Sequence, residues 1–375
     1  MELHINTINS HLVTDNPKLL SALKDLYSFK VPGAEYSPQY KRHSWDGKKS
    51  FFSKQGQFKT GLLSRIMSDL DKVDANPKII DNRKYRTDIN DYQFSGITYY
   101  DYQEKTIVAG LEQKRMVVKA PTAAGKTIIM AGLVKALHGR KMILLFNAKQ
   151  LLTQTYDFLL SVGIKGLGLC FSEGFIEGDI MLCTVQSIEK VLDTHLESEV
   201  LMVDECHEFS NGKSTVAAIQ SFPKANYRYG FTATPPSQNI SKFNLEGGIG
   251  SVYSVATTKE LVDQGKLTKP IIQIIKRQYK AKNMDDSMSY SEIYDEYIVN
   301  NEERNNTIKD LINDIKRKNK AARILILTKS LDHGRALEDL LGGNCEFLQG
   351  DDSIEKRYEA ISRFRRCGDS SILIG

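Results

Sequence analysis

Short apolar runs separated by helical patterns fill most of the chain between residues 97 and 268. These runs lie at 116–118, 142–146, 167–171, 180–185, 200–203 and 228–231. A short apolar run between polar turns predicts a buried strand, and strands that alternate with helices predict a parallel sheet covered on both faces. A second series of this kind lies at 323–328, 345–348 and 371–375. The pattern predicts an α/β protein with two doubly wound parallel-sheet lobes, the second of them incomplete.

The N-terminal residues follow a different pattern, which predicts a small α/β domain. Alternation over 2–13 predicts a strand, and the apolar spacing over 17–29 predicts an amphipathic helix capped by Asp15 or Asn16. Asp46-Gly47 predicts a hairpin turn, and the pattern over 61–73 predicts another helix. The polar stretch 81–96 predicts a linker. We therefore expect a small domain at 1–88, a first lobe at 89–268 and a second lobe at 269–375.

Charge and cysteine content narrow the class of protein. The net charge is +5, and residues 1–60 carry nine Lys or Arg against five Asp or Glu. A local basic excess of this kind is typical of nucleic-acid binding. No apolar stretch is long enough to cross a membrane. The cysteines are odd in number and never spaced as C-x-x-C, which indicates a reducing, intracellular compartment such as the cytoplasm and argues against a zinc module; they are Cys170, Cys183, Cys206, Cys345 and Cys367.

Residues 119–127, with the sequence Lys-Ala-Pro-Thr-Ala-Ala-Gly-Lys-Thr, are typical of a nucleotide-phosphate loop. They lie between a predicted strand and a predicted helix, so the free N–H groups at the start of the helix would face an anion. Lys126 would reach the β- and γ-phosphates, and the Thr127 hydroxyl would hold Mg²⁺. The predicted ATP-binding residues of this loop are Thr122, Ala123, Ala124, Gly125, Lys126 and Thr127.

The fifth apolar run ends in two adjacent carboxylates, Asp204 and Glu205. Placing two charges at the end of a buried strand is costly, and a metal ion with its water explains the arrangement. Asp204 would bind the Thr127-coordinated Mg²⁺ through water, and Glu205 would orient and deprotonate the attacking water. A solvated strand end is the alternative. Thr232 and Thr234, after the sixth run, could bond these carboxylates and relay the state of the nucleotide to the rest of the fold.

In this order and combination, the motifs resemble those of the superfamily 2 helicases. Residues 120–127 resemble motif I, 204–207 motif II and 232–234 motif III. The resemblance implies two RecA-like lobes, ATP and Mg²⁺ as cofactors, and nucleic acid as the partner. It implies a catalytic set of Lys126, Asp204, Glu205 and His207. It also implies that Tyr102 and Gln103 form a glutamine motif, whose amide can donate to and accept from adenine at once.

Further stretches resemble the helicase motifs that contact nucleic acid. Residues 147–154 are similar to motif Ia, 184–187 to the next strand-bound contact, and 327–330 to motif IV. Such contacts grip the phosphate backbone and move apart and together as ATP is hydrolysed. For each residue, an ordinary polar loop position is the alternative. The implied DNA-binding residues are Asn147, Lys149, Thr184, Gln186, Thr328 and Lys329.

Within that superfamily, residues 44–48 and 61–66 resemble the N-terminal domain of the phage UvsW-type enzymes, which remodel branched DNA. The resemblance implies that the domain guides duplex arms at a fork in the bacterial host cell. The segment 40–59 supports contact with DNA, because its basic residues could follow phosphates while its aromatic residues stack on bases. Alternatively, the aromatic residues pack inside the domain and the lysines are solvated. Residues 40–59 are called the basic segment below. Their predicted DNA contacts are Lys41, Arg42, Lys48 and Lys49.

The chain reaches Gly375 where motif V would begin, so motif VI and its arginines are not part of the sequence. We expect either that the enzyme is longer than this chain or that the chain binds ATP and hydrolyses it poorly. The leading hypothesis is an ATP-dependent DNA helicase or translocase that acts on forks or junctions in replication, recombination or repair. An RNA helicase or a nuclease-associated translocase subunit is an alternative, which ATPase stimulation by DNA against RNA would distinguish. A DNA-binding or annealing module with impaired ATPase is another, although the set Lys126, Thr127, Asp204 and Glu205 is intact.

Overall fold

The structure, a computed structural model, describes residues 1–276, 288–343, 345–366 and 371–375. The chain divides into two compact units, Met1–Ile271 and Ile272–Gly375. Within the described ranges, no helix combines the length and the apolar character that crossing a bilayer requires. The predicted boundary at residue 88 lies inside the first unit and stays a prediction, and Cys367 lies outside the described residues.

The N-terminal part of the first unit is a small α/β arrangement. One sheet has the strand order β5-β2-β1-β6, and β3 pairs with β4 in a separate two-stranded ribbon. Its elements are β1 (Glu2–Ile5), β2 (Asn9–Val13), α1 (Pro17–Leu26), β3 (Ser28–Lys30), α2 (Pro38–Lys41), β4 (Lys48–Ser50), β5 (Gln57–Lys59), α3 (Leu63–Asp71) and β6 (Lys78–Asp81).

Two local predictions in this part are wrong, and one is refined. The run 2–13 is two strands, β1 and β2, which pair antiparallel with Leu3 opposite Leu12. No strand ends directly before Asp46-Gly47, because Pro38 and the Ser37 cap begin the short helix α2 instead, and β4 pairs with the earlier strand β3. Asn16 caps α1 as expected, but the helix ends at Leu26 because the next residues pair with β4. The helix predicted at 61–73 is confirmed as α3.

The rest of the first unit is a RecA-like lobe, as predicted. Its helices and strands alternate along the chain, and all six predicted strands are present. The elements are α4 (Asp101–Gln113), β7 (Arg115–Lys119), α5 (Lys126–Ala136), β8 (Met142–Phe146), α6 (Lys149–Ser161), β9 (Leu167–Phe171), β10 (Gly174–Ile176), β11 (Ile180–Thr184), α7 (Glu189–His195), β12 (Val200–Val203), α8 (Lys213–Gln220), β13 (Tyr227–Thr232), α9 (Asn239–Gly248), β14 (Ser251–Ser254) and α10 (Thr258–Asp263).

The eight strands of this lobe form one sheet with the order β10-β9-β11-β8-β12-β13-β7-β14. Every pairing is parallel except that of the short edge strand β10 with β9. The central strands β8 and β12 are fully buried, since helices cover both faces, and this explains their unbroken apolar sequences. The carboxyl ends of β7, β12 and β13 therefore meet at one edge, where ligands of such sheets bind.

The N-terminal part packs firmly on the lobe through α9. Phe243 inserts among Tyr27, Phe29 and Phe51, with ring centroids 5.7, 4.7 and 5.4 Å away. A Cβ at Gly61 would lie 1.9 Å from the Glu246 carbonyl oxygen, so only glycine permits this approach. These contacts help to bury Phe51 and exclude it from stacking on bases.

The stretch 81–96 is irregular after β6, as predicted for a linker, yet it is packed against the lobe. Tyr85 meets Tyr227 edge to face at 5.4 Å. The guanidinium of the fully buried Arg140 donates to the Asp88 carboxylate at 3.2 Å. The segment is therefore held in place along the lobe.

The second unit contains a three-stranded parallel sheet with the order β15-β17-β16. The three predicted strands are confirmed. The elements of the described residues are α11 (Tyr290–Tyr294), continued by a π-helical segment (Asp295–Val299), α12 (Glu302–Lys318), β15 (Arg323–Ile326), α13 (Leu331–Leu341), β16 (Cys345–Phe347), α14 (Ile354–Arg366) and β17 (Ser371–Ile374).

Candidate nucleotide site and nucleic-acid contacts

The predicted phosphate loop connects β7 to α5, the strand–loop–helix arrangement that its sequence indicates. The loop turns sharply because Ala123 and Gly125 both have left-handed backbone angles, with φ of 65° and 80°. The conformation is costly for alanine, and the Ala124 N–H donates to the Pro121 carbonyl at 3.1 Å. Lys126 is the first residue of that helix, and Thr127 follows it, half-buried. This geometry suits an anion at the helix start.

The Lys126 ammonium forms an ion pair with Glu205, with 2.7 Å between Nζ and Oε1. Glu205 lies two residues after the end of β12 in a left-handed conformation, with φ of 41°, which is unusual for a residue with a side chain. Strained backbone at a strand end is typical of functional sites and directs a side chain where regular structure would not. Motifs I and II thus meet at these two side chains.

Asp204 lies beside this pair at the buried end of β12, where its N–H donates to the Leu145 carbonyl at 3.0 Å. Burial raises the pKa of the Asp204 carboxyl above its ordinary value. Among the described residues, no group of three or more His, Cys, Asp or Glu could hold a metal ion. Mg²⁺ suits the donor set that is present, because it is commonly bound by one or two carboxylates, waters and substrate phosphates.

Thr232 links the three motifs through hydrogen bonds. Its hydroxyl lies 2.9 Å from Nδ1 of His207 and accepts the N–H of Thr234 at 3.1 Å. Its carbonyl accepts the N–H of Ala120, the first residue of motif I, at 3.0 Å. His207 Nδ1 is also 3.4 Å from Glu205 Oε2. These bonds therefore join motifs I and II to Thr234 in the loop after β13.

The predicted adenine contact at Gln103 has a different partner in the structure. Gln103 is buried, and its amide donates to the Ala124 carbonyl at 3.1 Å while its oxygen accepts the Tyr100 N–H at 2.9 Å. The Tyr102 hydroxyl donates to the same Ala124 carbonyl at 3.1 Å. Both hydrogen-bonding sides of the Gln103 amide are used inside the protein, so the two residues hold the phosphate loop.

The sequence did not reveal an aromatic stack beside that loop. Tyr100 and Tyr102 stack with centroids 5.6 Å apart, and the Lys266 ammonium lies 4.5 Å and 5.0 Å from the two ring centres. Lys266 lies shortly after α10, and no local pattern pairs it with residues about 160 positions earlier in the chain. The stack braces α4 against the segment after α10.

The predicted DNA contacts of the first lobe differ in exposure. Gln186 is exposed, but Thr184 is buried and its hydroxyl bonds Ser187 at 3.2 Å, so Thr184 shapes the turn and its side chain is not available to a strand. The Asn147 amide donates to Glu208 close to motif II. Lys149 pairs with Glu173 at 2.9 Å. Phosphate contact by Asn147 or Lys149 would have to replace these bonds.

In the second unit, Thr328 and Lys329 follow β15 as expected. The N–H of Thr328 donates to the Gly375 carbonyl at 2.7 Å, and Thr328 is half-buried. Lys329 is exposed, with its ammonium 3.1 Å from the Tyr290 hydroxyl and above that ring. Their contact with DNA stays a prediction.

The basic segment keeps most of its charge at the surface. Lys41, Arg42 and Lys48 are exposed. Lys49 is exposed as well, but its ammonium donates to Asn244 at 2.7 Å and lies over the Phe51 ring. Partial burial lowers the pKa of Lys49. Three of the four cations are therefore free of ion pairs with the described residues and accessible to phosphate, whereas Lys49 also anchors the domain.

Comparison with known proteins gives consistent relatives. Residues 88–237 match the family of type III restriction enzyme res subunits, and residues 3–79 match the N-terminal domain family of the DNA helicase UvsW. The chain is 22% identical over 375 residues to the ATP-dependent DNA helicase uvsW of Enterobacteria phage T4. The alignment covers 91% of this chain and 73% of that protein. It is 24% identical over 285 residues to the putative DNA 3'-5' helicase Rad25 of Haloarcula marismortui, across 73% of this chain and 44% of that protein.

Solved structures share the fold. One crystal structure of the T4 UvsW helicase has a TM-score of 0.54 at 18% identity and covers 68% of this chain and 100% of that chain. Another T4 UvsW structure has a TM-score of 0.55 at 17% identity and covers 100% of this chain and 80% of that chain. The likeness extends from the N-terminal part into the second unit.

Proposed function

The chain belongs to the superfamily 2 helicases and is similar to the UvsW helicase of phage T4, and we propose on that basis that it is an ATP-driven motor that unwinds or remodels forked and branched DNA. The observation that carries the proposal is the junction of three motifs at one sheet edge. Lys126 pairs with Glu205 at 2.7 Å, and Thr232 connects His207 to motif I. A DNA-binding module with a decayed nucleotide site would have no reason to retain this arrangement.

The site residues have distinct roles in ATP hydrolysis. The backbone N–H groups of Thr122, Ala123 and Gly125 and the Lys126 ammonium would bind the phosphates. Thr127 and, through water, Asp204 would hold Mg²⁺, which would neutralise charge on the phosphates. Glu205 would orient and deprotonate the attacking water. As phosphate draws Lys126 away, Glu205 gains freedom to face that water, while His207 and Thr232 report the change to the loop after β13.

Nucleic acid would bind through its backbone, which suits a motor that moves along any sequence. In the first unit, Gln186 is exposed for such a contact, whereas Asn147 and Lys149 would exchange Glu208 and Glu173 for phosphate. The likeness of residues 3–79 to UvsW N-terminal domains and the exposed cations of the basic segment support DNA, and branched DNA in particular, as the substrate.

We further propose that the chain has domains at 1–88, 89–268 and 269–375. In the second lobe, Thr328 and Lys329 would contact the nucleic acid. The protein would act in the cytoplasm of the infected bacterium.

An unwinding and fork-regression assay tests the proposal. Labelled DNA forks are incubated with the protein and ATP, and the products are resolved by native electrophoresis. We expect ATP-dependent conversion of forks, little conversion of unbranched duplexes, and none with Lys126→Ala. Conversion of RNA forks at an equal or higher rate would identify an RNA helicase. Conversion that needs no ATP would identify an annealing module.

A further inference from the structure

A cavity of about 290 Å³ opens where the N-terminal part meets the first lobe. Its walls come from α3, α9, the end of β7, the edge strand β14 and the loop after β13. The polar lining residues are Arg65, Lys119, Lys242, Glu246, Ser251 and Ser254, and Pro235 and Pro236 form an apolar side. Apart from Lys119, the first residue of the stretch 119–127 that contains the phosphate loop, none of these residues belongs to the nucleotide site or to the basic segment.

The cavity carries an unbalanced positive charge. Arg65 is neutralised by Glu246 through two hydrogen bonds, at 2.5 and 2.8 Å. Neither the Lys119 nor the Lys242 ammonium has a hydrogen bond or ion pair with any residue that the structure describes. The hydroxyls of Ser251 and Ser254 likewise have no partner in the described ranges. Two cationic residues and two hydroxyl-bearing residues line the same space, and this combination is complementary to a phosphate group.

The size of the cavity limits what it can hold. Pockets for small-molecule ligands typically measure roughly 300 to 1,000 Å³, so this cavity lies at the lower end of that range. A phosphate group fits, and a whole nucleotide with its base would not be enclosed. The cavity also faces open solvent beside Lys119, which is exposed, so a phosphate could enter while still attached to a longer chain.

The cavity adjoins the nucleotide machinery at two points. Lys119 immediately precedes Ala120, whose N–H donates to the Thr232 carbonyl at 3.0 Å. Pro235 follows Thr234, whose N–H donates to the Thr232 hydroxyl. A group bound in the cavity would therefore touch residues directly joined to motifs I and III.

We propose that this junction cavity binds one backbone phosphate of the nucleic acid, held by Lys119, Lys242 and the two serine hydroxyls. The proposal rests on the proposed function, because it assumes that the protein acts on nucleic acid. It adds a contact on the opposite side of motif III from the predicted backbone grips. It also explains why the N-terminal part packs firmly on the lobe, since Arg65 and Glu246 form one wall of the cavity.

The test compares the double variant Lys119→Gln/Lys242→Gln with the control Lys165→Gln/Lys224→Gln. The control removes the same charge from exposed positions that precede β9 and β13, at the opposite edge of the sheet. DNA affinity is measured by fluorescence anisotropy over a range of salt concentrations, without ATP. One duplex phosphate contributes about 0.9 to the slope of log affinity against log salt, so we expect the cavity variant to lose about that amount and the control to lose less. Ser254→Glu, which adds a carboxylate to the cavity, should weaken binding similarly.

The outcomes separate the cavity from the proposed function. Equal slopes for the cavity variant and the control, in a wild-type protein that binds DNA, would overturn the cavity site and leave the helicase proposal standing. A wild-type protein that does not bind DNA would overturn the proposed function itself. In a second experiment, inorganic phosphate is added to the DNA-free protein, and its binding is followed as a rise in Tm. A rise that the cavity variant abolishes, together with unchanged DNA slopes, would identify a free anion as the ligand and overturn the backbone assignment.

Discussion

The Lys126 ammonium and the Glu205 carboxylate lie 2.7 Å apart, so the cation expected on the phosphates and the base expected on the water are bonded to each other. A bound triphosphate would compete with Glu205 for this ammonium because phosphate offers more negative charge and more acceptor oxygens. Binding of ATP would then break the pair and release the base. The same two residues would serve nucleotide recognition and the timing of hydrolysis.

Replacement of Glu205 by Gln tests its role as the base. Gln keeps the shape and can still accept a hydrogen bond from Lys126, but it cannot take a proton. We expect ATP binding to be retained and turnover to fall by about 10²- to 10⁴-fold, the range for loss of a general base. Binding is measured with a fluorescent ATP analogue and turnover by phosphate release. Turnover within a few-fold of wild type would show that another group accepts the proton.

The pair between Arg65 and Glu246 predicts a measurable coupling between the N-terminal part and the first lobe. The Glu246 side chain is 1% exposed, so Arg65→Met leaves a buried carboxylate without its cation. We expect a loss of about 2 to 3 kcal/mol in the free energy of unfolding, below the usual 3 to 5 kcal/mol because the Arg65 side chain is 38% exposed. The double variant Arg65→Met/Glu246→Met should recover most of it. Denaturant titration measures both, and equal stability of Arg65→Met and wild type would refute the prediction.

His195 predicts a loss of stability on mild acidification. It is buried, and burial lowers its pKa, so the folded protein binds this proton less readily than the unfolded chain. As pH falls through the ordinary histidine range near about 6.5, the unfolded chain gains a proton and the free energy of unfolding decreases. The slope is at most about 1.4 kcal/mol per pH unit for one proton. Above that range the stabilisation is complete.

The variant His195→Gln can still donate to the Gly178 carbonyl, which His195 Nε2 contacts at 3.0 Å, but it does not titrate. Denaturant titrations between about pH 5.5 and 7.5 should show a smaller dependence on pH than wild type. The exposed His43→Gln serves as the control and should leave the dependence unchanged. Identical pH profiles for wild type and His195→Gln would rule out this group as the source.

The basic segment predicts salt-dependent DNA binding. Alanine replacement of Lys41, Arg42 and Lys48 should weaken fork binding and lower the salt slope by about one unit per lost phosphate contact. Lys49→Ala should change the slope less, because its ammonium already bonds Asn244. Anisotropy titrations of a labelled fork at several salt concentrations give these slopes. A triple variant with the wild-type slope would show that the segment does not contact phosphate.

The strands and the nucleotide motifs could be predicted because each is encoded locally. Fully buried parallel strands such as β8 appear as unbroken apolar runs, and the phosphate loop follows one of them directly. The likeness to superfamily 2 then assigned the order of the motifs correctly. The roles of the individual site residues stay predictions.

The errors arise where distant residues decide the local structure. β3 ends the helix predicted over 17–29 because it pairs with β4, some twenty positions away. Phe51 packs against Phe243, almost two hundred positions later in the chain, so its burial leaves no local signal. The Gln103 amide donates a hydrogen bond to the Ala124 carbonyl, and this bond depends on how α4 packs beside the loop. Position along the chain identified these residues, but only the packing shows what each side chain touches.

Steady-state ATP turnover by the protein, with and without forked DNA, tests the central claim most directly. We predict that forked DNA raises ATP turnover above that of the protein alone and above that with unbranched duplex. We also predict that Lys126→Ala shows no turnover in any condition. Turnover that is the same with and without forked DNA, from protein shown to bind both ATP and the fork, would contradict the claim that this site drives movement on branched DNA.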